Sequence, residues 1–342
     1  MRAGKGPMQQ KTRLWTEVDY GRDGKQVDWL HLPHSVTRSA YGMIDIPVAV
    51  VKNGEGPTAL FTAGNHGDEY EGQIALCNLI RELEPGTIRG RVIMLPALNL
   101  PAVMAATRVS PIDGGNLNRA FPGSPDGTVT QQIAHYVDSV LFPMADLFHD
   151  LHSGGASLAY MPFASTHEGP DPTINARGMA ALSAFGAPVS LHWRQGADPR
   201  FSAGAAMRRG VAALGGEFGG GGSLNRAGLA FCEEGLIRLL RHLGIIAGGP
   251  PEPRPTRLFE VPDQACFVYA PDGGVFEPAT AIGDTVRKGD LCGRIHYVDD
   301  PARPPTPCFF RREGVVVCQR HPARCERGDC LAHLGIEVDQ TA

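Results

Sequence analysis

TALFTAGNHGDE, residues 58–69, is the stretch on which the reading of this chain turns. Its first five residues are apolar or β-forming, the pattern of a buried strand. Two glycines then enclose Asn65 and His66, and Asp68 and Glu69 lead into a segment where Leu76, Leu79, Ile80 and Leu83 recur at helical spacing. Outward from here the pattern repeats. Residues 46–51 form a second apolar run, joined to the first through KNGEGP, residues 52–57, which has the composition of a turn. Residues 90–98 (GRVIMLPAL) read as another buried strand and residues 130–141 as a helix ended near Pro143. Residues 145–151 read as a strand running into His152-Ser153-Gly154-Gly155. Strand, loop and helix in alternation predict an α/β fold with a mainly parallel or mixed sheet and helices on both faces. In such sheets reactive groups gather in loops beyond the carboxyl ends of strands, where both His66 and His152 fall.

Whole-chain numbers narrow the class. With 342 residues, 42% hydrophobic and 20% charged, the chain can bury a large core and is neither disordered nor membrane-like. No apolar run approaches the ~20 residues of a spanning helix. The first 26 residues carry charge without the apolar segment of a secretory signal, and they read as a frayed tail. A net charge of −4 argues against general affinity for nucleic acid or an anionic membrane. Eight cysteines, with Cys77, Cys232 and Cys266 inside apolar stretches, fit reduced thiols in a cytoplasm better than a secreted disulfide framework.

GPPEPRPT, residues 249–256, is a proline-rich break. Beyond it, short β-like runs at residues 266–270, 291–296 and 314–317 predict a small all-β unit. The expected organisation is a tail with first strands at 1–40, a catalytic domain at 41–250 and a β domain at 257–342. GVFEP (274–278) followed by GDTVRKGD (283–290) resembles the sandwich of biotinyl and lipoyl carrier domains. Lys288 lies in the turn consensus rather than at a hairpin tip, so a lid that shapes substrate access is expected instead of a swinging arm. Cys318, His321, Cys325, Cys330 and His333 offer a second cluster of ligand types, although structural zinc sites use tighter paired spacing.

The chemistry concentrates at His66 and Glu69. Placed three residues apart at the start of a helix, they would share a face and meet one ion. Imidazole plus carboxylate, completed by a distant imidazole, is the ligand set of catalytic zinc in several hydrolases, and it leaves a position for water. His152 is the candidate third ligand. Asp150 lies two residues earlier on the same strand face, placed to accept a proton from a ligand imidazole, while His149 points the other way. On the residues alone, each histidine could equally be a satisfied polar group at a strand end.

GNHGDEYEG (64–72), TRVSPIDGGNLNRAFPG (107–123) and DLHSGG (150–155), in that order, resemble the succinylglutamate desuccinylase/aspartoacylase family. That family shares its fold and zinc site with the carboxypeptidase A group. The resemblance covers most of residues 40–250 and implies one Zn²⁺ per chain, bound by His66, Glu69 and His152. It implies that Asn118 and Arg119 clamp the substrate carboxylate, a task suited to a planar guanidinium, with Asn116 beside them. Asn116 stands where the family usually has Asp, and Asp113 is the nearby carboxylate available to substitute. Arg108 resembles the family arginine that polarises the scissile carbonyl. Glu217, in GGEFGGGG (215–222), resembles the catalytic glutamate placed late in the domain at a strand end, with Glu233 and Glu234 as nearby competitors.

The resemblance implies a zinc-dependent amidohydrolase that deacylates a small N-acyl amino acid, with no nucleic-acid or membrane partner. Within the family, LPHS (32–35), the blocks above, PDGTVT (125–130) and PMAD (143–146) resemble the N-acetyl-2,4-diaminobutyrate deacetylase branch of ectoine degradation. The products would be acetate and 2,4-diaminobutyrate. N-Succinylglutamate and N-acetylaspartate are the alternative substrates. A carboxypeptidase would share the zinc site, and a non-catalytic metal-containing binding protein would share the fold. The chain is compatible with a homo-oligomer and does not define one.

Overall fold

In the computed structural model, which describes residues 12–338, fourteen strands join into one continuous mixed sheet and four more form a second. The first ten are β1 (Gly24–Pro33), β2 (Met43–Asn53), β3 (Thr58–Ala63), β4 (Gly90–Leu95), β5 (Leu147–Leu151), β6 (Leu158–Tyr160), β7 (Phe163–His167), β8 (Val189–Trp193), β9 (Ala212–Glu217) and β10 (Arg257–Val261). Six helices accompany them: α1 (Glu71–Glu82), α2 (Leu100–Ala105), α3 (Val129–Tyr136), α4 (Pro172–Phe185), α5 (Ser202–Arg208) and α6 (Arg226–His242). The order across the sheet is β1-β2-β4-β3-β5-β9-β7-β8-β10, continuing into Cys330–Glu337, Gly314–Arg320 and Thr285–Val286. The two apolar runs at 46–51 and 58–62 are not sheet neighbours. β4 lies between them, antiparallel to β2 and parallel to β3.

β3 shows why its sequence is apolar throughout. All six of its residues are buried, because the sheet is covered on both sides. Ala59, Phe61 and Ala63 face a layer containing Leu76 and Leu79 of α1, Leu182 of α4 and Leu236 of α6. Leu60 faces the other layer, with Phe148, Ile133 of α3 and Ala205 of α5. The helix expected at 130–141 is α3 with a capping box between Thr128 and Gln131, prolonged by a π turn at Val137–Leu141.

Two expectations are corrected. Residues 12–26 are not a frayed tail: Leu14 and Val18 are buried in the second layer, and β1 pairs with β2 along all ten residues. Two isolated apolar side chains give no periodicity, so the sequence concealed the contact. Residues 1–11 lie outside the described residues. The break at 249–256 also falls one strand early. β10 runs parallel to β8 in the main sheet, burying Phe259 and Val261 against Phe163, Val189 and Leu191. The chain beyond β10 is β-rich as expected, with a separate four-stranded sheet of Gly274–Pro278, Leu291–His296, Thr306–Phe309 and Arg324–Cys325. Among the described residues, no helix is long and apolar enough to cross a membrane.

α6 begins against the end of β9, and a Cβ on Gly228 would lie 1.6 Å from the Phe218 carbonyl oxygen. An exposed helical Gly→Ala change normally gains up to about 1 kcal/mol. Gly228→Ala is expected instead to cost about 1–3 kcal/mol by overpacking, seen as a lower urea midpoint at unchanged slope. An unchanged midpoint would show that α6 does not press on this strand end.

Candidate active site

Three neighbouring parallel strands, β3, β5 and β9, deliver the central residues. His66 and Glu69 follow β3, His152 follows β5 and pairs with Glu217 in a parallel bridge, and Glu217 ends β9. His66 and Glu69 do not occupy a helical turn, as their spacing suggested; they sit in the loop before α1 starts at Glu71. That loop is pressed onto α2, where a Cβ on Gly67 would lie 1.9 Å from the Ala102 carbonyl oxygen, so only glycine fits. The tight loop, rather than helical spacing, brings the two side chains together.

Glu69 stands between the imidazoles. Its Oε1 lies 2.7 Å from His66 Nδ1 and its Oε2 lies 2.8 Å from His152 Nδ1. The other ring nitrogens are engaged: His66 Nε2 lies 3.1 Å from Asn116 Oδ1, and His152 Nε2 lies 3.0 Å from Asp150 Oδ2. Candidate ligand atoms of His66, Glu69 and His152 all lie within 4.8 Å of one another, and among the described residues no other such group of His, Cys, Asp or Glu converges. Two imidazoles presenting Nδ1 and one carboxylate fit a divalent cation with an open coordination position, and the bonds at Nε2 fix the rings in that orientation.

Burial disfavours ionised Glu69, yet the charges of His66 and His152 hold its carboxyl far below the usual range. Burial equally opposes an ionised Asp150, and the neighbouring His152 with hydrogen bonds from His152, Ser202 and Thr62 overrides it. Asp150 also accepts from Asn65 Nδ2 at 2.9 Å. Against the cost of burial, Asp150 and Glu69 together raise His152 well above its ordinary value.

Glu217 is different. Its Oε2 is buried with no hydrogen-bond partner, and burial followed by the charge of Glu69 pushes its carboxyl upward. A cavity of about 320 Å³ opens over these groups, lined also by Arg108, Asn118, Arg119, Tyr160 and Phe201. Arg108 Nη1 lies 3.4 Å from Glu69 Oε1. Asn118 is held by the Ser202 amide, which donates to its Oδ1 at 2.9 Å, while the Arg119 guanidinium lies 4.0 Å over the Phe201 ring. Burial and then the neighbouring charge of Arg108 lower the Arg119 pKa, so an anion between the two arginines would relieve their repulsion.

Other candidates are placed elsewhere. Asn116, expected on the substrate, is occupied by His66 and does not line the cavity. Asp113 braces a loop by accepting from the Thr130 amide and hydroxyl and the Gly115 amide, so it does not replace an acid at position 116. Glu233 bonds Asn78 and Glu234 pairs with Arg254, both from α6 and outside the cavity. The Cys318, His321, Cys325, Cys330 and His333 group does not converge; His333 is stacked between Trp193 and Phe267. Sequence reading missed Thr62, Asn65 and Ser202. Thr62 had a findable signal, since it precedes the loop on the strand whose neighbour bears Asp150.

Mixed sheet, strand-end placement and a His–Glu–His set beside a half-buried glutamate define a hydrolase of the metal-dependent, amide-cleaving class. The family model of the succinylglutamate desuccinylase/aspartoacylase catalytic domain matches residues 55–243. Over 338 residues, 98% of each chain, the sequence is 41% identical to N-alpha-acetyl-L-2,4-diaminobutyric acid deacetylase of Halomonas elongata. A succinylglutamate desuccinylase/aspartoacylase structure from Rhodobacter sphaeroides superposes with a TM-score of 0.90 at 40% identity, covering 96% of this chain and 100% of that one. The product-bound structure of the ectoine utilization protein EutE (DoeB) from Ruegeria pomeroyi gives 0.91 at 42% identity with the same coverage. The chain belongs to the succinylglutamate desuccinylase/aspartoacylase family.

Two histidines away from the ligand set, the buried His333 and the half-buried His167, tie stability to pH. Burial pushes His167 down to about 4 and His333 down to about 3. In the unfolded chain both titrate near ~6.5, so between these values the folded state binds fewer protons and stability rises with pH. Their contribution is complete above pH ~6.5 and falls by about 4 kcal/mol for the pair on acidification to pH ~5. Urea midpoints at pH 7.5 and 5 check this. His333→Phe is expected to remove about half of the difference, and an undiminished difference would clear His333 of the effect.

Proposed function

We propose that this protein is a zinc-dependent deacylase that converts N-acetyl-2,4-diaminobutyrate to 2,4-diaminobutyrate and acetate. The observation that carries the reading is the convergence of His66, Glu69, His152 and Glu217 at three adjacent strand ends, in a chain 41% identical to a named deacetylase over 98% of its length. A zinc ion held by His66, Glu69 and His152 would supply Lewis acidity and bring the pKa of an adjacent water toward ~7.

The chain's own residues do the rest. Asp150 and Asn116 fix the ring orientations of His152 and His66. Glu217 takes the proton of the attacking water and returns it to the leaving amine; its raised pKa and uncommitted Oε2 suit that exchange. Arg108 donates to the carbonyl oxygen as negative charge grows on it. Arg119, with Asn118 beside it, holds the α-carboxylate and so selects the amide that reaches Glu217. The C-terminal β unit narrows the entrance. Its strand Gly314–Arg320 pairs with β6, whose Leu158 and Tyr160 line the cavity. Such an enzyme acts in the cytoplasm, where its eight free cysteines stay reduced.

Purified protein is expected to hold about one zinc per chain and to release acetate from N-acetyl-2,4-diaminobutyrate faster than from N-acetylaspartate, and succinate from N-succinylglutamate slowly. Chelator should stop turnover and zinc restore it. Glu217→Gln should lower kcat by at least ~100-fold with zinc retained, while Asp150→Asn should weaken zinc affinity by about 10–100-fold. A Glu217→Gln enzyme with full kcat would remove that residue from the chemistry.

A further inference from the structure

The cavity continues along β7, past every group used above. Strand alternation puts Phe163, Ser165 and His167 on the cavity side, while Thr166 turns away to donate to the Ala213 carbonyl. β7 runs antiparallel to β9, with Phe163 opposite Glu217 and Ser165 opposite Gly215. Two residues along a strand span about 7 Å, so Ser165 lies one such step from the level of Glu217 and His167 lies two. A Cβ at position 215 would come within 3.3 Å of Ser165 Oγ, so the glycine leaves that hydroxyl uncovered. The hydroxyl has no hydrogen-bond partner among the described residues.

His167 fixes the chemical sign of this end. Its Nδ1 is buried without a hydrogen-bond partner, and burial keeps the ring neutral. A neutral imidazole has one lone pair to give to a donor. The arginines of the cavity, Arg108 and Arg119, belong to the region of the ligand set, and Arg194 next to Trp193 is engaged by Glu168 and Glu260. A carboxylate here would meet, among the described residues, no free cation, whereas a group rich in N–H donors would find acceptors in both Ser165 and the neutral His167.

We infer that Ser165 and His167 form the subsite for a free primary ammonium group on the substrate side chain, the feature that separates a diamino acid from its monoamino and acidic analogues. This deepens the deacylase reading and rests on it. Four bonds of roughly 1.5 Å separate the nitrogens of 2,4-diaminobutyrate, a reach of about 5 Å. That carries the second nitrogen from beside Glu217 to Ser165, with His167 behind it, directly or through one water.

The test uses zinc-loaded wild type, Ser165→Ala, His167→Phe and the milder His167→Asn, which keeps an acceptor. Two ratios are read: kcat/KM for N2-acetyl-2,4-diaminobutyrate over N-acetyl-2-aminobutyrate, and calorimetric affinity for 2,4-diaminobutyrate over 2-aminobutyrate. Wild type should favour the diamino compound in both. Ser165→Ala and His167→Phe should each lower the preference by about tenfold or more, with His167→Asn retaining most of it. A wild type that treats each pair alike, or variants that keep the full preference, would overturn the subsite. Preferential binding without turnover of either acetyl compound would uphold the subsite and sink the deacylase reading; equal turnover of both would do the reverse.

Discussion

Asp150 lies inside the sheet with four hydrogen-bonding groups around its two oxygens: Thr62, Asn65, His152 and Ser202. Each comes from a different part of the chain, namely β3, the loop after it, the end of β5 and the start of α5. A carboxylate buried this deeply is tolerated only when its lone pairs are filled, and removing one partner leaves a charge uncompensated. The same oxygen that receives Ser202 and Asn65 also faces His152 Nε2, which turns Nδ1 of that ring toward Glu69. The ligand geometry is thereby a consequence of how two strands and a helix are joined.

The architecture was legible because burial leaves a strong trace. β3 and β5 are buried along their whole length and β3 is free of charged residues, so a charged or imidazole side chain just past the strand end stands out. His66, Glu69 and His152 stood out that way, whereas Glu217 was singled out by the family resemblance, its place among glycines alone being compatible with a surface acid. What the sequence hid is of two kinds. Leu14, Val18 and β10 belong to long-range packing that no local period announces. Asn116 and Asp113 were assigned from position along a motif, whereas the loop folds so that one meets an imidazole and the other a helix start. A motif fixes residue types and spacing; which way each side chain turns depends on partners elsewhere in the chain, such as Thr130 for Asp113.

Charge is unevenly distributed across the cavity. Arg108 lies beside the carboxylate of Glu69 and Arg119 near enough to Arg108 to feel its charge, with Phe201 giving Arg119 a flat apolar support. The β7 side offers a hydroxyl and a neutral imidazole. Such a gradient orients a zwitterionic ligand before any single contact is made, since reversing it would place like charges together.

β6 comes closely behind His152, yet its partner is the strand Gly314–Arg320 from the far end of the chain, and β10 is tied to Cys330–Glu337 in the same way. Two strands from the far end of the chain are therefore tied to β6 and β10 by main-chain ladders. A jaw that swung open would have to tear those ladders, giving up several buried peptide hydrogen bonds at once.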